Sequence, residues 1–172
     1  MFELKIPQNY QIEKFGDQFI KINQIAQLKI PNKLKIELTQ EHHYTLIRTN
    51  QVQLKYWISF KQMILNCLKG LQLNYTQILK LVGIGYRVQL LEINHIKYLS
   101  LKIKYSNKIY IKLPSEITVL VKDPYIILMS WNKQFVGEIA NKIRHLEIPE
   151  VYKNKGILYL NEIPRHKIGK QQ

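Results

Sequence analysis

Ile117-Thr118-Val119-Leu120-Val121-Lys122-Asp123-Pro124-Tyr125-Ile126-Ile127-Leu128-Met129-Ser130 reads as two short extended segments joined at Asp123-Pro124, a dipeptide suited to a tight hairpin. Directly afterwards the apolar period lengthens. Phe135, Val136, Ile139, Ala140, Ile143 and Leu146 form one stripe of a helix over 132–147, with Asn132 placed as its N-cap and Pro149 forbidding extension. Strands that expose one apolar face, followed by a helix able to cover it, define an α+β unit. Gly137 costs such a helix stability relative to alanine, so it is expected to pack closely against the sheet.

Outward from this core, extended stretches run over 76–92, 96–104 and 109–113, and a last strand over 157–160 is expected to join the same sheet. Beyond Pro164 the tail is irregular. The first third repeats the order. Phe19-Ile20-Lys21-Ile22, Ile25 to Ile30, Leu34 to Leu38 and Tyr44 to Ile47 alternate between turns at Gly16-Asp17, Asn23-Gln24 and Pro31-Asn32, which predicts an antiparallel meander. From Trp57 the residues Trp57, Phe60, Ile64, Leu65, Leu68 and Leu71 mark a helix face, with Lys61 and Lys69 placed for water. The expected fold is therefore α+β, as two similar small domains, each an antiparallel sheet covered by one helix. The boundary falls near Leu73 to Tyr75, giving an N-terminal domain over 1–74 and a C-terminal domain with a basic tail over 75–172.

The 172 residues carry 26 Lys+Arg against 12 Asp+Glu, for a net charge of +14, while 46% are hydrophobic. That much apolar surface supports a folded core, and the charge favours a polyanionic partner through long-range attraction and counterion release. RNA, DNA or an anionic membrane face would each supply it. Residues 75–172 hold sixteen of the bases against seven acids, densest at the end, where Lys153, Lys155, Arg165, Lys167 and Lys170 face only Glu162. The only arginines are Arg48, Arg87, Arg144 and Arg165 and the only alanines Ala26 and Ala140, while Lys, Ile and Asn abound. Residues with A/T-rich codons have replaced G/C-rich ones, which points to an organelle genome or an A/T-rich bacterium.

One cysteine, Cys67, cannot form an internal disulfide, and its place on the first helix predicts a core residue. His42-His43 point to opposite faces of a strand with no third ligand near, so no metal is expected. Gly83-Ile84-Gly85 has Val88 where a dinucleotide loop needs its third glycine, and it lies in an extended run; a strand bulge or close backbone contact is the expectation. Beside it, Tyr86 is either a stacking ring or a core residue. Lys153-Asn154-Lys155-Gly156 lacks the spacing and the Ser/Thr of a P-loop. Its two lysines, with Tyr152 and Tyr159 near, suit instead a loop that meets a phosphate backbone. No nucleophile, histidine and acid fall into a recognisable motif, so neither catalysis nor a cofactor or small-molecule substrate is expected. No apolar run approaches the roughly 20 residues of a membrane span. The N-terminal Met1-Phe2-Glu3-Leu4-Lys5 resembles neither a secretory nor a transit sequence, so if the protein works in an organelle, synthesis there is expected.

The chain-order set Leu81-Val82-Gly83-Ile84-Gly85-Tyr86-Arg87, Asn132 to Ala140 with its Lys-Gln-Phe-Val-Gly, Ile143-Arg144, and Pro149-Glu150-Val151-Tyr152-Lys153-Asn154-Lys155-Gly156 resembles the second domain of large ribosomal subunit protein six, the universal uL6 family. The first domain matches only in outline, through Ile6-Pro7 and the Gly16 turn. Lys104 stands for a turn glycine, Asn107-Lys108 for His-Pro, Val151 for a proline, Asn154 for a loop glycine and Leu158 for a common arginine. The resemblance implies a structural protein that binds large-subunit ribosomal RNA near the sarcin-ricin loop and the base of the factor-binding stalk, beside neighbouring large-subunit proteins. Tyr152, Lys153, Lys155, Gly156, Arg165, His166, Lys167 and Lys170 are the principal RNA-binding candidates, with Arg87, Lys133 and Arg144 behind them. Combined with the codon signature, it implies a mitochondrial ribosome, with a plastid or an A/T-rich bacterial cytoplasm as alternatives. The competing functions are a free-standing nucleic-acid-binding module and a membrane-surface adaptor.

Overall fold

The computed structural model describes residues 2–7, 9–16, 18–40, 44–49, 54–165 and 167, and the chain divides into two compact units, 1–72 and 73–172. Both are α+β.

The first unit runs β1 (Phe2–Pro7), β2 (Ile12–Phe15), β3 (Phe19–Ile22), β4 (Ala26–Lys29), β5 (Glu37–Gln40), β6 (Tyr44–Thr49) and α1 (Leu54–Gln72). Alternation sets the faces. Ile20, Ile22, Ala26 and Leu28 are buried, while Gln27 and Lys29, which alternate with Ala26 and Leu28, are exposed. Instead of one meander, the strands form two antiparallel sheets, β2-β3-β4 and β1-β6-β5. The first is the expected hairpin chain. The second is non-local, because the amino-terminal strand β1 pairs with β6 from Phe2 opposite Thr49 to Pro7 opposite Tyr44.

The strand expected over Leu34 to Leu38 starts only at Glu37. Leu34 and Ile36 are buried in an irregular segment in which the Leu34 N–H donates to the Pro31 carbonyl at 2.8 Å, so their alternation reflects burial rather than pairing. Helix α1 begins at Leu54 and turns Trp57, Phe60, Ile64, Cys67 and Leu68 inward. Burial pushes the Cys67 thiol up to about 11, as befits a core side chain. His42 and His43 lie outside the described residues.

The second unit runs β7 (Tyr75–Val82), β8 (Arg87–Ile93), β9 (Ile96–Lys102), β10 (Ile109–Lys112), β11 (Thr118–Lys122), β12 (Tyr125–Ser130), α2 (Lys133–Arg144) and β13 (Gly156–Tyr159). Its sheets are β11-β12-β7-β13 and β10-β9-β8, all antiparallel. Helix α2 packs on β7, β12 and β13. Val136, Ile139, Ala140 and Ile143 of the helix, Leu79, Leu81, Ile126 and Leu128 of one sheet, and Val88, Leu99 and Leu101 of the other form a single buried cluster. The stripe read from the sequence is thus the core-facing side of α2.

Asn132 caps that helix, its side-chain oxygen accepting from the N–H groups of Gln134 at 3.0 Å and Phe135 at 3.4 Å. Buried Ser130 secures the approach, donating to the Glu116 carbonyl at 2.9 Å and accepting from the Asn132 N–H at 3.3 Å. The helix stops at Arg144, three residues short of the expected Glu147, with a turn in which the Leu146 N–H donates to Ile143. Proline 149 therefore follows the stop rather than causing it.

Two further expectations are corrected. The run over 76–92 is broken at Gly83–Tyr86 into strands of different sheets, so Gly83-Ile84-Gly85 is a tight turn and not a bulge: the Tyr86 N–H reaches back to the Gly83 carbonyl, and Gly85 takes φ +79°. A Cβ on Gly83 would lie 2.8 Å from the Tyr86 ring, which folds over it. Gly137, by contrast, is exposed, and a Cβ there would meet nothing within 4 Å. Close packing against the sheet does not explain it.

Candidate nucleic-acid interface

At one end of the four-stranded sheet, Gly156 pairs with Val82, so the loop entering β13 stands beside the turn leaving β7. The two motifs, some seventy positions apart in the sequence, thereby meet. Tyr86, at the end of that turn, is half-buried against the core, and its hydroxyl is held above its ordinary pKa by burial first and by the carboxylates of Glu147 and Glu150 next. Core packing is its observed role.

The loop closes on itself through two hydrogen bonds, from the Glu150 N–H to the Lys155 carbonyl and from the Asn154 N–H to the Glu150 carbonyl, each 2.9 Å. Asn154 turns the chain with φ +52°, a left-handed conformation that asparagine tolerates better than most residues. This closure pushes Val151, Tyr152 and Lys153 out as an exposed tip and leaves Lys155 half-buried. The tail then returns. The Lys167 N–H donates to the Val151 carbonyl at 2.9 Å, which brings exposed Arg165 and Lys167 to the same loop.

Of the expected residues, Tyr152, Lys153, Lys155, Gly156, Arg165 and Lys167 are thus gathered at one end of the unit. Gly156 is buried, with its backbone at φ +147° against Pro149, so the reason for glycine here is internal packing. His166 and Lys170 lie outside the described residues. Arg144 is turned inward to the fold: its Nε donates to Glu162 Oε2 at 3.1 Å, its Nη2 to Oε1 at 2.5 Å, and its guanidinium lies 5.5 Å from the Tyr159 ring centre. That pairing holds the Glu162 carboxyl below its usual range.

Lys133 is exposed, with its ammonium 6.0 Å from the Tyr75 ring. Tyr75 begins β7 and Val82 ends it, so at about 3.3 Å per residue Lys133 stands roughly 23 Å from the loop end. Arg87 joins neither group. It lines a pocket of about 160 Å³ with Gln89, Ser100, Lys102 and Lys108 on the β8-β9-β10 sheet. The sequence reading missed those four, because polar positions alternating along a hairpin carry no signal beyond exposure.

Among the described residues no group of three His, Cys, Asp or Glu side chains could hold a metal ion, and no helix is long and apolar enough to cross a membrane. What the site offers is cationic donors and an aromatic ring on a loop closed by two backbone hydrogen bonds.

A chain of two α+β units with exposed cations gathered at one end of the second has the chemistry of a polyanion-binding structural protein. The chain is 35% identical to "Large ribosomal subunit protein uL6m" of Reclinomonas americana over 99% of its own length and 96% of that relative's. It is 31% identical to "Large ribosomal subunit protein uL6" of Mycoplasmoides gallisepticum, covering 97% of this chain and 92% of the relative. Against the uL6 of Karelsulcia muelleri the identity is 42%, over 64% of this chain and 62% of the relative. No protein-family model matches the chain. The chain belongs to the uL6 family of large ribosomal subunit proteins, and its role is that of a structural constituent of the large subunit.

Proposed function

We propose that the protein holds large-subunit ribosomal RNA with the loop and tail at the β13 end of its second unit, near the sarcin-ricin loop and the base of the factor-binding stalk, among neighbouring large-subunit proteins. The observation that carries this is the convergence of Tyr152, Lys153 and Lys155 with Arg165 and Lys167 through the hydrogen bond from Lys167 to Val151. Nearby carboxylates do not cancel that charge. Glu162 is taken by Arg144 and Glu147 lies 3.8 Å from Lys104, which leaves Glu150. Lysines and Arg165 neutralise phosphates and the Tyr152 ring stacks on an exposed base or sugar, so shape rather than base sequence dominates recognition. The protein works by binding and carries out no chemistry on the RNA.

The A/T-driven composition and the near-full-length match to uL6m of Reclinomonas americana favour a mitochondrial ribosome as the site of action, while the match to uL6c of Guillardia theta supports an organelle only more broadly. Sedimentation tests the assignment. A constituent of the particle travels with large subunits and stays after moderate salt, whereas a free-standing binder is found in light fractions and a membrane adaptor follows anionic vesicles. On the isolated RNA fragment, replacing Lys153 and Lys155 with alanine lowers the salt dependence of binding by about 0.7–0.9 per lost phosphate contact. An unchanged slope removes both lysines from the interface.

A further inference from the structure

In the β8-β9 hairpin, Arg87 pairs with Lys102, Val88 with Leu101 and Gln89 with Ser100, while on the other flank Tyr110 of β10 pairs with Ser100. Val88, Leu99 and Leu101 face the core, so Arg87, Gln89, Ser100 and Lys102 share the opposite face. Two cations therefore stand directly across from one another, at a spacing of about 5 Å between Cβ atoms, with Lys108 lining the same pocket. Like charges so placed destabilise a sheet. No described carboxylate relieves them: the ion pairs of this unit, Lys104 with Glu147 and Arg144 with Glu162, lie elsewhere, and no acid lines the pocket.

We infer that this pocket holds a backbone phosphate of RNA, as a contact on a different sheet from the loop and tail. The inference rests on the reading that the protein binds ribosomal RNA and adds to it the residues Lys102, Lys108, Ser100 and Gln89. Ser100 makes the pocket. It is the short side chain of its row, only 4% exposed, between Gln89 and Tyr110, and so forms a polar floor beneath longer walls. The cavity of about 160 Å³ has room for a tetrahedral anion. The guanidinium, the two ammonium groups, the Ser100 hydroxyl and the Gln89 amide all donate, so the pocket suits an anion whose oxygens accept several bonds at once, as the non-bridging oxygens of a backbone phosphate do. Tyr110, beside Ser100 in register and 55% exposed, presents a ring to the adjoining nucleotide, which an acidic peptide would not require.

The test uses the full chain in three forms: unaltered, Lys102→Ala with Lys108→Ala, and Lys153→Ala with Lys155→Ala. Inorganic phosphate is expected to shift the NMR signals of Ser100 and of the Arg87 side chain saturably in the unaltered chain and not in the first variant. With a large-subunit RNA fragment, the first variant is expected to lower the log–log salt slope by about 0.7–0.9, the share of the one phosphate lost. Arginine at both positions restores the slope, which separates loss of charge from loss of fold. If the slope is unchanged by the first variant but falls in the second, the pocket contact is wrong and the loop reading stands. If the unaltered chain fails to bind the RNA, the loop reading falls and takes this inference with it. Shifts produced by hexaglutamate and not by phosphate would overturn it in favour of a protein partner.

Discussion

A methyl group added at Gly156 would sit 2.7 Å from the Pro149 Cα and 2.8 Å from its nitrogen, on a backbone at φ +147°. Neither obstacle is a flexible side-chain end, so the chain itself must move. Replacing Gly156 with alanine is therefore expected to cost roughly 1–3 kcal/mol, read as a lower denaturant midpoint with unchanged slope. A midpoint equal to that of the parent would refute this account of the glycine. Gly137 gives the opposite sign. Its added Cβ meets nothing within 4 Å on an exposed turn of α2, so Gly137→Ala removes backbone entropy from the unfolded state without a clash. A gain of about 0.5–1 kcal/mol is expected, and a thermal melt that shifts downward would contradict it. From the sequence Gly137 was expected to pack closely against the sheet and Gly156 to belong to an RNA-binding loop; the neighbours brought in by the fold place the close packing at Gly156 instead.

Arg144, in the last turn of α2, and Glu162, beyond β13, are joined by two hydrogen bonds, and Glu162 Oε2 also accepts from the Tyr159 N–H at 3.1 Å. The pair ties the end of the helix to the strand that follows it. Because pairing lowers the Glu162 pKa below the ordinary value of 4.5, its contribution is complete above that value and is lost as pH falls through the lowered one. With both side chains a fifth to a quarter exposed, Glu162→Gln is expected to cost about 1 kcal/mol at neutral pH. The gap between variant and parent should narrow as pH falls below 4.5 and close once the lowered Glu162 pKa is passed; a gap that does not narrow with acidification would exclude the ion pair as its source. Elements of this kind were unequally legible. Strand β12 matches its expected bounds, Tyr125–Ser130, and the Asn132 cap sits where expected, because a short apolar run bounded by Asp123-Pro124 and a capping side chain are local signals. The pairing of β1 with β6 is long-range and is written in no short window, whereas the break between β7 and β8 is a local turn whose Gly83-Ile84-Gly85 was equally compatible with a strand bulge. The loop lysines were visible as a motif, whereas the bond from Lys167 to Val151 that gathers the tail was not.

The two units repeat one topology. Order β1-β6-β5 in the first corresponds to β7-β12-β11 in the second, β2-β3-β4 corresponds to β8-β9-β10, and α1 and α2 each follow the last of those strands. The periodicity of the sequence already pointed to a repeat, but the matching strand orders come from pairing. One difference is β13, which returns after α2 to pair with β7; after α1 the chain passes instead into β7 itself. The second unit thereby gains a fourth strand in its main sheet, and its buried cluster draws on residues from Leu79 to Ile157 alone. A core closed within about a hundred residues is of a size that folds independently. A fragment comprising residues 73–172 is accordingly expected to unfold in one cooperative transition and to keep the RNA affinity lost in the Lys153 and Lys155 variant, since both candidate contacts lie within it. Circular dichroism melting and RNA titration of the fragment check this. Should it fold and yet bind no RNA that the full chain binds, the interface would have to include the first unit, and the strand that distinguishes the second would be a matter of stability rather than of recognition.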